Sequence, residues 1–186
     1  MNNKEIRMYD MSLNKDSDEM ILEGYALKFE EPATHGNYTE IIDRHALDNT
    51  DMSDVCMKYN HSDTNYILAR TRNKSLELKV DDIGLWFRAN LIDTTTNIDA
   101  YKMIKAQLLD KCSFAFSVRK DSKNYDESYR RILDIDKLFD IAVVDVPFYD
   151  NTEVLARNMK QFEEEKEKYQ ALKLAKVKAK AKLSLN

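Results

Sequence analysis

Apolar and polar residues alternate in several short runs along the chain, the pattern expected of strands half-buried in a sheet. The cleanest is 75–80, with Leu76, Leu78 and Val80 on one face and Ser75, Glu77 and Lys79 on the other. Asp81-Asp82-Ile83-Gly84 reads as a turn and 85–91 as its partner strand, which together predict a hairpin. Residues 20–30 predict a strand with Gly24 at a bulge or a close backbone approach, ended by Glu31-Pro32. A short strand follows at 38–43, then one helical turn at 44–49. In 54–59, Val55, Met57 and Tyr59 oppose Asp54, Cys56 and Lys58. Residues 97–111 change to helical spacing, with Ile98, Tyr101, Ile104, Gln107 or Leu108, and Lys111 tracing one face and Leu109 beside it, behind the N-cap candidates Thr94, Thr95 and Thr96. Strand alternation returns at 112–120, where Cys112, Phe114, Phe116 and Val118 point one way and Ser113, Ala115 and Ser117 the other. A polar loop at 124–129 precedes two strands, 131–136 and 138–146, the second stopped by Pro147.

The pattern changes after residue 156. Residues 157–186 hold nine Lys or Arg and four Asp or Glu, a net of +5, which leaves 20 basic and 29 acidic residues, a net of −9, in 1–156. The later segment lacks Gly and Pro and is built of Lys, Glu, Ala and Leu, all good helix formers. The expected organisation is therefore an acidic, β-rich domain over 1–156 and a charged, solvated helical tail over 157–186. A floppy charged extension and a docking segment are the other readings of that tail.

Composition narrows the function classes. With 43% hydrophobic residues among 186, the chain can bury one sizeable core. No apolar run approaches the ~20 residues that span a bilayer. Residues 1–10 are too polar for a secretory signal, and two Cys fit a reducing compartment better than a disulfide framework. A net charge of −4 disfavours general nucleic-acid binding. His35, His45 and His61 lie in separate segments with no C-x-x-C or H-x-x-x-H spacing, which argues against a metal site. Three isolated Gly make no phosphate-binding loop.

One set of residues is consistent with nucleophilic catalysis. His61 ends a strand in Tyr59-Asn60-His61-Ser62-Asp63, where a turn would expose its ring. Ser113 begins a strand, with small Ala115 and Ser117 leaving room on its face for a carbonyl and its oxyanion. Asp140 is an acid inside the apolar run Leu138-Phe139-Asp140-Ile141-Ala142, where burial without a partner would cost several kcal/mol. A Ser, a His and an acid form the relay for acyl transfer. Taken singly, each also fits an ordinary structural role, and sequence spacing does not show that they meet. Cys112 beside Ser113 is an alternative nucleophile, although its alternation with Phe114 and Phe116 suggests a buried thiol.

Read in order, the motifs from about Met20 to Ala156 resemble the prohead proteases of tailed bacteriophages, capsid-maturation serine proteases distantly related to herpesvirus assemblin. Gly24-Tyr25-Ala26-Leu27-Lys28-Phe29 is similar to the family's opening G-x-A-x-x-F strand. Glu40-Ile41-Ile42 with His45-Ala46-Leu47 resembles E-x-I followed by G-A-F. Asn60-His61-Ser62-Asp63 resembles the N-H-D element, Leu68-Ala69-Arg70-Thr71 the L-G-R-T element, and Asp81-Asp82-Ile83-Gly84-Leu85 the E-D-x-G-L turn. Cys112-Ser113-Phe114-Ala115-Phe116 resembles S-F-G-F, Leu138-Phe139-Asp140-Ile141-Ala142 resembles L-x-E-V-S, and 146–152 resembles the closing P-A-Y-x-x-T. Ala115 stands where the family has Gly, Asp140 where it has Glu, His45 where it has Gly and Phe148 where it has Ala.

The resemblance implies Ser113 as nucleophile, His61 as general base and Asp140 as orienting acid. It implies an α+β fold, a mainly antiparallel, β-barrel-like core with flanking helices as in herpesvirus proteases. It also implies a serine endopeptidase that needs no cofactor, acting inside the procapsid in the host cytoplasm. Its partners would be the major capsid protein, whose scaffolding segment it cuts, and itself, without nucleic acid or membrane; a homo-oligomer is compatible with this. The alternative is a non-enzymatic internal scaffold or capsid-assembly module carrying a degenerate protease site.

Overall fold

The computed structural model describes residues 4–13, 19–62, 67–145 and 152–183. The strands are β1 (Lys4–Leu13), β2 (Ile21–Lys28), β3 (Ala33–His35), β4 (Tyr38–Ile42), β5 (Cys56–Tyr59), β6 (Ile67–Arg70), β7 (Leu76–Val80), β8 (Gly84–Asn90), β9 (Lys111–Asn124) and β10 (Tyr129–Val144). The helices are α1 (Thr95–Lys105) and α2 (Thr152–Leu183). The fold is thus α+β and dominated by strands.

Strand order runs β3-β4-β10-β9-β1-β2-β8-β7, with β5 on β10 and β6 on β5. Among the described residues only β10 with β4 and β10 with β5 form parallel ladders; the other ladders are antiparallel. β1 joins the two halves by pairing with β9 through Lys4–Asp10 and with β2 through Met11–Leu13. The expected barrel-like closure is corrected here. Among the described residues β3 pairs only with β4 and β7 only with β8, so no ladder links the two ends of the path. The core draws on Leu22 and Leu27 of β2, Leu85 and Phe87 of β8, Phe114 and Phe116 of β9, and Ile135, Leu138 and Ile141 of β10.

The predicted hairpin is β7–β8, in register from Leu76↔Ala89 to Val80↔Leu85. Its turn is closed by Asp81, whose Oδ1 accepts from the Ile83 and Gly84 amides at 2.9 and 3.0 Å. A Cβ on Gly84 would lie 2.0 Å from the Leu27 carbonyl oxygen, so β8 begins with a close backbone approach to β2. Gly24 pairs in ordinary register with Phe87, and the β2 irregularity falls two residues on, between Tyr25 and Leu27.

α1 begins at the expected Thr94 cap, whose Oγ1 accepts from the Asn97 amide at 3.2 Å. It ends at Lys105, six residues before the predicted end, because Gln107 takes a left-handed φ of 59° and turns the chain toward β9. The buried face is Asn97, Ala100 and Ile104, while Leu108 is 69% exposed. Residues 44–49 form successive turns, with Ala46 bonded to Asp43 and Asp48 to His45, in place of the predicted helical turn.

β10 differs most from expectation. The two predicted strands at 131–136 and 138–146 form one, because Lys137 stays in the ladder opposite Ser117. Its core residues Ile132, Ile135, Leu138 and Ile141 recur every three positions, where a regular strand repeats every two. On β9 the facing residues Val118, Phe116 and Phe114 keep the two-residue step. The mismatch is absorbed by irregularities in β10, including one between Leu138 and Asp140.

α2 starts before Arg157, where the composition changes. Phe162 is buried between Tyr38 and Tyr125, with ring centroids 4.9 and 5.2 Å away. Lys123–Glu165 at 2.6 Å, Lys166–Ser128 at 2.6 Å and Lys173–Asp126 at 2.8 Å fix the same side of the helix to the β9–β10 turn. Leu174 and Val177 are exposed. No helix among the described residues is long and apolar enough to cross a membrane.

Candidate active site

The site forms where β5, β9 and β10 run side by side. β5 lies parallel to β10, with Cys56 opposite Asp140, Lys58 opposite Ala142 and Tyr59 opposite Val143. On its other edge β10 places Asp140 opposite Ala115 and Ala142 opposite Ser113. Directly paired residues share a face. Lys58, Ala142 and Ser113 therefore make one row across the sheet, and Cys56, Asp140 and Ala115 the next.

The irregularity in β10 brings Asp140 to that face. Leu138 pairs with Phe116 and Asp140 with Ala115, so β10 advances two residues while β9 advances one. Uninterrupted alternation from Leu138 would have turned Asp140 into the core beside Ile141's partner Phe114. With Phe139 as the extra residue, Leu138 and Ile141 both reach the core and Asp140 joins Ser113.

His61 is delivered by a tight reversal after β5. Asn60 and His61 both adopt left-handed φ values, 50° and 52°, a region that Asn and His tolerate better than most residues. The reversal is clamped to β10, with the Asn60 amide donating to Val143 O at 2.8 Å and Asn60 Oδ1 accepting from the Asp145 amide at 3.1 Å. Tyr59 Oη donates to Asp145 Oδ2 at 3.1 Å, and burial together with that carboxylate pushes the Tyr59 phenol pKa up.

The imidazole then bridges the two strands. His61 Nε2 lies 2.7 Å from Ser113 Oγ, and Nδ1 is hydrogen-bonded to Asp140 Oδ1. Since the carboxylate accepts, Nδ1 carries the proton and Nε2 faces the Ser113 hydroxyl with a lone pair. Ser113 is fully buried, the Asp140 side chain is 1% exposed and the His61 side chain 14%, so the ring edge is the solvent side of the set. All three residues singled out in the sequence meet here, although 52 and 79 positions separate His61 from Ser113 and Asp140.

Lys58 escaped the sequence reading. Its Nζ lies 3.7 Å from Asp140 Oδ2, and its side chain is 15% exposed. A Lys on the polar side of an alternating strand reads as solvated, and only the pairing of β5 with β10 turns that side into the site. Cys112 lies on the opposite face in the core, and burial pushes its thiol pKa far up, which disfavours the reactive thiolate. Asp63 and the closing motif at 146–151 lie outside the described residues. No cluster of His, Cys, Asp and Glu suited to a metal occurs among the described residues.

The sequence model described as Caudovirus prohead serine protease matches residues 7–166, a span containing every residue of the site. The chain belongs to this family. It is accordingly a capsid-maturation protease. Among solved structures it is similar to the capsid assembly protease of bacteriophage T4, with 11% identity, 78% of this chain and 100% of that chain covered, and a TM-score of 0.47. No curated protein matches the chain. The family span runs past the composition change at 157 into α2, as far as Lys166 beside Ser128.

Proposed function

We propose that this protease is a serine endopeptidase with Ser113 as nucleophile, His61 as general base and Asp140 as the acid that orients the imidazole. The observation that carries the reading is the continuous set of contacts from Ser113 Oγ to His61 Nε2, at 2.7 Å, and from His61 Nδ1 to Asp140. As Ser113 Oγ attacks the scissile carbonyl carbon, its proton passes to Nε2, and the Asp140 carboxylate stabilises the imidazolium. The tetrahedral intermediate collapses as Nε2 returns the proton to the leaving amine. Water, activated by the same nitrogen, then releases the acyl group and restores Ser113.

The substrate in this reading is the scaffolding part of the major capsid protein, cut inside the procapsid together with the protease itself. A distant relationship to herpesvirus assemblin belongs to the same reading. Residues 1–156 carry the catalysis, and the basic end of 157–186 is left to contact acidic surfaces of the assembly.

Diisopropyl fluorophosphate tests the nucleophile. Added to procapsids containing the protease, it should phosphorylate Ser113 Oγ with loss of fluoride, and fragmentation of the labelled peptide should separate Ser113 from Cys112. An adduct on Cys112 or on another serine, or none while cleavage proceeds, contradicts the assignment.

A further inference from the structure

We propose that Lys58 is a positioning residue of this site, its ammonium pairing with the second oxygen of Asp140 and setting the pH at which His61 becomes a base. The inference rests on the Ser113–His61–Asp140 reading and adds a fourth member to it. Three observations support it. Lys58 sits opposite Ala142 in the β5–β10 ladder, in the row that contains Ser113, so the strand pairing itself directs its stem over the site. Its Nζ is 3.7 Å from Asp140 Oδ2, while Oδ1 is taken by His61. Its side chain is largely shielded from water, where charges interact more strongly than at the surface.

The other described charges nearby are committed elsewhere. On β6, Arg70 is paired with Asp54 at 2.6 Å. On β10, Asp145 accepts from Tyr59. On β9, Lys111 pairs with Asp110 at 3.7 Å, and the Cys112 thiol faces the core. The Glu5 carboxylate of β1 is bound by Arg130. Cys56 lies in the Asp140 row, and burial pushes its thiol pKa up, which keeps it neutral. Among the described side chains, Lys58 is therefore the cation best placed to act on Asp140 besides His61 itself.

The consequence follows from charge. The carboxylate alone favours the imidazolium. A permanent positive charge beside the pair disfavours any further proton on it, so Lys58 lowers the pH above which Nε2 is free to take the Ser113 proton. It also leaves Asp140 less able to rotate away from Nδ1. Activity should therefore persist to lower pH than an isolated Ser–His–Asp set would allow.

The test compares the full-length wild-type protein with Lys58→Met and Lys58→Arg. Titration of the His61 ring by nitrogen-15 NMR should give a midpoint about one pH unit higher in Lys58→Met and close to wild type in Lys58→Arg. The rate of inactivation by diisopropyl fluorophosphate in procapsids, followed from pH 5 to 9, should shift its rising limb by the same amount. Equal midpoints in all three proteins, with only a slower plateau in Lys58→Met, would overturn the proposal and leave Lys58 a packing residue. Failure of the underlying reading looks different: Ser113 would take no label at any pH, while the ring titration would still report whether Lys58 acts on His61.

Discussion

Asp140→Asn is expected to slow cleavage of the capsid protein about 10⁴-fold while leaving the fold intact. Asn is nearly isosteric, so the row formed by Cys56, Asp140 and Ala115 should keep its packing. What changes is the direction of one hydrogen bond. Lys58 lies beside Oδ2 and would attract the amide oxygen, which turns the amide NH2 group toward His61. Nδ1 must then accept, its proton moves to Nε2, and Nε2 meets the Ser113 hydroxyl as a donor that cannot receive a proton. The stabilising charge for the imidazolium is lost as well. Steady-state or single-turnover cleavage, with circular dichroism as the control for folding, measures the effect. A loss smaller than about tenfold would contradict Asp140 as the acid that orients His61.

The second large effect concerns stability. Arg130 is buried where four strands meet, and its guanidinium donates to Glu5 of β1 at 2.8 and 2.9 Å, to Glu40 of β4 at 3.0 Å and to Asp121 of β9 at 2.6 Å. Tyr38 adds a bond to Glu40 at 3.0 Å and stacks edge-on against Phe162, which ties the cluster to the seat of α2. Burial opposes the Arg130 charge, but the carboxylates around it outweigh that and keep its pKa above the ordinary arginine value. Arg130→Met would deprive two buried carboxylates of the guanidinium they share, at a cost of about 3–5 kcal/mol.

The pH dependence of that loss has a definite sign. Removing the guanidinium from a close pair of buried carboxylates favours the binding of a proton to the pair in the folded state. Such groups stabilise the fold fully below their unfolded value of about 4.3 and lose that contribution as pH rises through the folded value. Urea unfolding should therefore show a larger deficit at pH 8 than at pH 5. An equal deficit at both, or none, would show that the carboxylates are not held in place by Arg130.

Local pattern made much of this legible. Strict alternation in β7 and β9 and the Asp81–Gly84 turn were enough to place those elements, because in each the residue type changes with every step of the pleat, although 112–117 of β9 are buried on both faces. The end of α1 was not legible, since Gln107 takes a left-handed conformation with no Gly or Pro to announce it. β1 was missed altogether: Lys4, Glu5, Arg7 and Asp10 break its apolar pattern, and its place is set by backbone pairing to β9 and β2.

The site shows the same division. His61, Ser113 and Asp140 stood out by type and by their surroundings in the chain. Their meeting depends on the extra residue in β10 and on the reversal at Asn60, neither of which alternation reveals. The three-residue spacing of Ile132, Ile135, Leu138 and Ile141 was the available signal of the first. Lys58 carried no local signal, because its importance comes from the parallel pairing of two strands far apart in sequence.

The most direct test of the central claim is co-expression of the protein with the capsid protein of the same phage, wild type beside Ser113→Ala, read by intact-mass spectrometry. The account predicts that wild type trims the capsid protein and that Ser113→Ala leaves it at full mass in assembled shells. Equal trimming by both would remove Ser113 as the nucleophile, and full-length capsid protein in normally assembled wild-type shells would contradict the assignment of an active serine protease.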